Sequence, residues 1–167
     1  MNQAGTKGPG MSFPNGGLLP QEEMLEVGKK KRKLVIGIPK EDSKNESRVA
    51  LTPEAVEILV GNGNDILIEK NAGKAANYTD TDYSEKGGMI VDRSTVFTAD
   101  ILLKITPPTI REIDNMKSHQ ILFSSLLLYQ QPKEYIQAAI RKKLTCFAFE
   151  KIRDENQCYP VTRSMSS

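Results

Sequence analysis

Short runs of β-branched and aliphatic residues alternate with stretches of helical spacing from Leu34 to Phe149, and this alternation most restricts the fold. Leu34-Val35-Ile36-Gly37-Ile38-Pro39 is a brief apolar run closed by proline, the pattern of a buried strand. Thr52-Pro53-Glu54 then opens a helix: Thr52 is the candidate N-cap, and Pro53 takes the first helical position, where a missing N–H does no harm. Ala55, Val56, Ile58, Leu59 and Val60 continue it, Gly61 and Gly63 stop it, and Asp65–Glu69 reads as the second strand. The pattern then predicts a helix over 79–86, with Asp80 and Asp82 in the first turn where the helix dipole favours negative charge. A strand over 89–91, a short helix over 93–98 and a strand over 101–105 follow. Pro107-Pro108 break the chain before a helix over 109–116. A strand over 120–126, an amphipathic helix over 132–142 and a strand over 144–149 complete the series. Strict alternation predicts the α/β class, a doubly wound and mostly parallel sheet. Ligands bind such sheets beyond the carboxyl ends of the strands, here at 39–48, 104–108, 126–131 and 150–153.

Composition excludes several classes. The 167 residues carry a formal net charge of +2, against the strong basic excess of a dedicated nucleic-acid or anionic-membrane protein. No apolar run approaches the ~18 residues that span a bilayer. No signal peptide is visible after Met1, so a cytoplasmic location is expected. Two cysteines, Cys146 and Cys158, rule out a disulfide-rich scaffold, and a single histidine leaves few ways to build a metal site, so none is expected.

Residues 1–32 differ in texture. Gly5, Gly8, Pro9, Gly10, Pro14, Gly16 and Gly17 predict a flexible, disordered tail, with a short helix over Gln21–Glu26. The run Lys29-Lys30-Lys31-Arg32-Lys33 reads as a solvated stretch ahead of the first strand rather than a nucleic-acid or lipid patch, because the net charge gives a patch little support.

No G-x-G-x-x-G follows any strand, and Gly61-Asn62-Gly63 lies at a helix end, the wrong context for a phosphate cradle. Arg48 sits in the charged loop after the first strand. Its guanidinium fork suits a carboxylate, or it is an ordinary surface arginine. Lys104 lies near the end of the otherwise apolar strand run Ile101–Ile105, so it must find a partner, snorkel to the edge or shift its pKa. Glu150 reads as a strand-end carboxylate, His119 as a loop or packing histidine at the opposite end of the strands, and Cys146 as a small core residue.

The block Ile36-Gly37-Ile38-Pro39-Lys40-Glu41 … Asn45-Glu46-Ser47-Arg48-Val49-Ala50-Leu51-Thr52-Pro53 resembles the opening of alanine dehydrogenases and of the nicotinamide nucleotide transhydrogenase alpha chain. The likeness runs on through Glu69–Gly73, Asp80–Tyr83, Ala99–Lys104, Gln120–Phe123, Phe149-Glu150 and Ser164-Met165-Ser166. It implies a flavodoxin-like substrate domain over 33–167, truncated before an NAD-binding domain. It implies oxidation of L-alanine to pyruvate and ammonia, with NAD bound through a portion absent here and no cofactor bound by this chain alone. By position it gives Arg48 to the substrate carboxylate, Lys104 to the carboxylate or keto oxygen as the catalytic cation, and Met165 and Ser166 to the cofactor side. The implied partners are pyruvate or L-alanine, the missing carboxyl-terminal portion or a partner chain, and further copies in a homo-oligomer. No nucleic acid is expected, and a membrane only on the transhydrogenase reading.

Leu127 departs from the pattern, standing where alanine dehydrogenases have their acid/base histidine in a Leu-His-Leu setting. The transhydrogenase alpha chain also lacks that histidine, but has an acidic residue where this chain has Ser166. Three readings follow: an alanine dehydrogenase-like fragment inactive alone, a transhydrogenase-like segment, or a non-catalytic oxo-acid-binding module. Whether the chain acts as an enzyme by itself is left open. An uncovered apolar face, and hence self-association, is expected of such a fragment.

Overall fold

Parallel strands need a crossover connection, usually a helix, so every apolar run in the alternating pattern is set beside its neighbours in the same direction. The computed structural model describes residues 33–41, 46–155, 158, 159 and 161; the tail 1–32 and its expected helix over Gln21–Glu26 lie outside them. In chain order the elements are β1 (Val35–Ile38), α1 (Pro53–Gly61), β2 (Asp65–Glu69), α2 (Asp80–Glu85), β3 (Met89–Val91), α3 (Arg93–Val96), β4 (Ile101–Leu103), α4 (Ile110–Asn115), β5 (Ile121–Ser124), α5 (Lys133–Arg141) and β6 (Thr145–Ala148). The strands form one sheet in the order β3-β2-β1-β4-β5-β6, and every pair is parallel. The chain winds outward from β1 to β3, then returns to place β4 on the other side of β1. The switch point therefore lies between β1 and β4, where a doubly wound sheet opens a crevice.

Helix starts follow the local chemistry. The Thr52 hydroxyl accepts the Ala55 N–H at 3.4 Å, with Pro53 in the first turn. Thr79 and Asp82 cap α2 reciprocally, and Thr109 and Glu112 do the same for α4. The strand β4 ends at Leu103, two residues short of the expected Ile105. The cause is local: the Ile105 and Thr106 N–H groups turn from the sheet to the Glu41 carboxylate at 2.5 and 3.4 Å.

Each face of the sheet has its own core. On one, Ile36, Ile38, Ile66 and Ile68 are buried under Val56 of α1 and Tyr83 of α2. The Tyr83 hydroxyl donates to the Leu51 carbonyl at 2.8 Å, so this buried phenol is satisfied. On the other, Leu67, Leu102 and Leu122 pack with Val96, Phe97, Ile113, Met116 and Tyr135. Gly37 lets α3 close on β1. A Cβ there would lie 2.7 Å from the Val96 carbonyl oxygen and 2.9 Å from the Ala99 Cβ. Cys146, expected in the core, lies exposed on the edge strand β6, because no strand follows on its far side among the described residues.

Candidate functional site

A cleft of about 530 Å³ opens at the carboxyl ends of β1 and β4, beside the switch point, and its lining includes Lys40, Glu41, Arg93, Lys104 and Arg111. Its floor begins with Glu41, which follows Pro39-Lys40 as the chain leaves β1 and is 6% exposed. A buried carboxylate needs donors. Glu41 has them: Lys104 Nζ at 2.7 Å, the Thr106 hydroxyl at 2.6 Å, and the Ile105 and Thr106 N–H groups. Lys104, 5% exposed, thus meets the demand its place in an apolar strand created, by finding a partner rather than by snorkelling. Its Nζ also donates to Thr106 Oγ1 at 2.9 Å and lies 3.9 Å from Glu112 Oε1.

The charges continue outward in alternation. Glu112 meets Arg93 at 2.5 Å, and Arg93 meets Glu69 at 2.9 Å through its other terminal nitrogen. Glu69, at the end of β2, also accepts the Lys40 N–H at 2.8 Å. Glu41, Lys104, Glu112, Arg93 and Glu69 therefore tie together the ends of β1, β4 and β2 and the starts of α3 and α4. Removing one member of the buried Glu41–Lys104 pair would leave an uncompensated charge.

Arg48 lies in the loop leading to α1, outside that lining. Its Nε and one terminal nitrogen grip the two oxygens of Glu46, each at 2.7 Å, in the two-pronged geometry by which arginine holds any carboxylate. This grip raises the Arg48 pKa; burial opposes it, and the field of Glu41 adds to it. The same grip holds the Glu46 carboxyl below the usual carboxylate range.

After β5 the chain passes through Leu127, whose φ of 44° is left-handed, unusual for a bulky residue. Glu150 stabilises this turn: its carboxylate accepts the Leu126 and Leu127 N–H groups at 3.3 and 3.0 Å. Leu127 itself is exposed. His119 stands at the amino end of β5, in a left-handed turn of its own.

Of the residues singled out from the sequence, Arg48, Lys104, Leu127 and Glu150 all fall at the carboxyl ends of the strands, and Lys104 enters the cleft. Met165 and Ser166 lie outside the described residues. Glu41, Arg93 and Glu112 were not singled out. Two signals were present: Thr109-x-x-Glu112 is a capping box ahead of a helix, and a lone lysine in an apolar strand requires a carboxylate somewhere. Among the described residues no three His, Cys, Asp or Glu side chains converge as a metal site, and no helix is long and apolar enough to cross a membrane.

The chain is similar to known proteins. The family described as Alanine dehydrogenase/PNT, N-terminal domain, matches residues 37–167. An alanine dehydrogenase of Staphylococcus saprophyticus is 34% identical over 134 residues, 80% of this chain and 36% of that protein. One of Staphylococcus epidermidis is 37% identical over 132 residues, 78% of this chain and 35% of that protein. A solved L-alanine dehydrogenase superposes with a TM-score of 0.75 at 33% identity, over 80% of this chain and 37% of the other. A transhydrogenase from Sinorhizobium meliloti does so with a TM-score of 0.68 at 31% identity, over 73% of this chain and 37% of the other. The chain spans about a third of the length of the curated relatives it matches.

Proposed function

The chain belongs to the Alanine dehydrogenase/PNT, N-terminal domain family, and from that membership we propose that it is the substrate-side segment of an alanine dehydrogenase-like oxidoreductase. The reaction of the whole protein would be L-alanine, NAD and water to pyruvate, ammonia and NADH, with this segment inactive alone. The observation that carries the reading is the grip of Arg48 on a carboxylate beside the charged cleft at the carboxyl ends of the strands.

In this reading Arg48 exchanges Glu46 for the carboxylate of pyruvate or L-alanine. Two parallel charge-assisted hydrogen bonds fix the planar group. Lys104 spends two N–H groups on Glu41 and Thr106 and keeps the third for the substrate oxygen, where it would steady developing negative charge. The Glu41 anchor fixes the ammonium before substrate arrives. Leu127 cannot move a proton. If it stands at the acid/base position, as the resemblance implies, the missing group costs roughly 10²–10⁴ in rate.

NAD would supply the hydride acceptor, but the turn after β1 does not fit it. That turn carries Pro39 and the buried carboxylate of Glu41 where a dinucleotide fold presents glycines and free N–H groups to a pyrophosphate. These residues do not suit a dinucleotide, so NAD would be held by a portion beyond this chain. Met165 and Ser166 would face that portion, a homo-oligomer is the expected assembly of the whole protein, and its expected compartment is the cytoplasm.

Leu127 favours a second reading, in which the segment serves a transhydrogenase-like protein or a non-catalytic oxo-acid sensor that has no need of a proton carrier. Calorimetric titration with pyruvate tests both. Binding that falls at least tenfold in Arg48→Ala supports the Arg48 clamp, and equal binding by wild type and variant overturns it. Reduction of NAD with L-alanine by the 167-residue chain alone would overturn the claim that it is inactive by itself.

A further inference from the structure

The cleft holds more positive charge than its buried network uses. Arg93 and Lys104 are flanked by Glu41, Glu69 and Glu112. Lys40 and Arg111 line the same cleft, are exposed, and have no side-chain hydrogen bond or ion pair among the described residues. Asn115, also exposed, lies on the α4 side of this wall. The nearby carboxylates, Glu41, Glu69 and Glu112, are already committed to Lys104, Arg93 and backbone N–H groups.

From this we propose that Lys40 and Arg111 form an anion-binding rim that takes the phosphoryl group of a small phosphate monoester. The site is separate from the Arg48 clamp. Two features select the ligand class. The first is charge: Lys40 and Arg111 have no ion-pair partner among the described residues, and with them the four cations here outnumber the three carboxylates, which favours an anionic group such as a phosphoryl carrying about −1.5 to −2 at pH 7. The second is hydrogen bonding: an ammonium has three donors and a guanidinium five, with no acceptor between them. A phosphoryl group is all acceptor and satisfies them. A free amino acid brings an ammonium of its own that this rim would repel. The carboxylates on the floor keep the ligand at the mouth, since a second anion pushed towards Glu41 and Glu112 would meet like charge.

Equilibrium dialysis of the full 167-residue chain against radiolabelled inorganic phosphate at pH 8 is the test. Circular dichroism on each variant confirms that it is folded. Saturable binding is expected, weakened at least tenfold in the Lys40→Gln, Arg111→Gln double variant and unchanged in Lys133→Gln, which removes a charge from α5. An unlabelled phosphate monoester, glycerol 3-phosphate, should displace the label, and acetate at the same concentration should not. Lowering the pH to 5 protonates the phosphate to its monoanion and should weaken binding several-fold while both cations stay charged. Three results would overturn the proposal: wild-type affinity in the double variant, displacement by acetate as effective as by the monoester, or displacement by NAD at equal concentration, which would assign the rim to a dinucleotide. Wild-type phosphate binding in Arg48→Ala is expected, so failure of the Arg48 clamp and failure of this rim are read separately.

Discussion

Two halves of one sheet face differ sharply in cover. Towards β3, Ile38, Ile66 and Ile68 are fully buried beneath α1 and α2. Towards β6 the same rows continue in register, Ile36–Ile101–Ile121–Thr145 and Leu103–Phe123–Phe147. Along them burial fades: Ile101, Leu103, Ile121 and Phe123 are half-buried, and Phe147 is 44% exposed. Phe147 stacks on Phe123 with ring centroids 4.5 Å apart, so its remaining cover comes from its neighbour in the sheet. The difference follows from winding direction. The two helices on this face connect β1 to β2 and β2 to β3. The connections that build β4 to β6 run over the other face. An apolar strip left in water is an association surface rather than a stable end state.

The sharpest way to break this contrast is at the charged cleft where the halves join. Glu41→Gln removes the anion paired with the Lys104 ammonium, which is only 5% exposed. Breaking a buried pair from one side costs about 3–5 kcal/mol. Urea denaturation should show a loss of that order. A loss below 1 kcal/mol would mean that water reaches Lys104 and that the two halves are not joined through it.

Substitution in the two halves gives the next effect. Ile68→Ala, in the covered half, should cost about 2–5 kcal/mol by opening a cavity. Phe147→Ala removes a larger side chain from the open half, yet should cost less, because much of that ring is already in water. Equal losses at the two positions would show that something covers Phe147 in solution. Association supplies the complementary test. Self-association of the chain in light scattering is expected at high micromolar concentration, and Phe147→Arg should reduce it while leaving the urea midpoint nearly unchanged. A monodisperse monomer in the wild type would remove the strip as an association surface.

The contrast also marks what could be read from the residues alone. Among the described residues the alternation of runs located the six strands and five helices within a few residues, because a buried parallel strand must be apolar throughout and a crossover helix must be capped. Arg48 and Lys104 were recognisable as the cations at strand ends. Their partners were not, because Glu41 and Lys104 are 63 residues apart and only the return of β4 to the side of β1 brings them together. The partial exposure of Phe147 and Cys146 was equally hidden: Leu144 to Phe149 reads as apolar as any inner strand, and only topology makes β6 an edge.

The smallest effect separates the halves by pH. Apart from Glu46, gripped by Arg48, the carboxylates held low stand at the starts of α1, α2 and α3. The Asp92 carboxyl is lowered to about 2 by the hydroxyls of Ser94 and Thr95 at the start of α3. Asp82 is lowered by the Thr79 backbone and side chain at the start of α2. Glu54 is lowered by a hydrogen bond to its own N–H and by the Thr52 hydroxyl at the start of α1. A carboxylate whose pKa is lower in the folded chain stabilises the fold above its unfolded value of about 4. That contribution is lost as pH falls through the folded value, here towards 2 for Asp92. Acid should therefore loosen the starts of α1, α2 and α3 before α5, whose first turn has no side-chain cap to lose. Amide exchange between pH 4 and 2 checks the order, after correction for the intrinsic rate. Loss of protection in α5 ahead of α2 would show that α5, despite having no side-chain cap to protonate, is the weaker helix in this pH range.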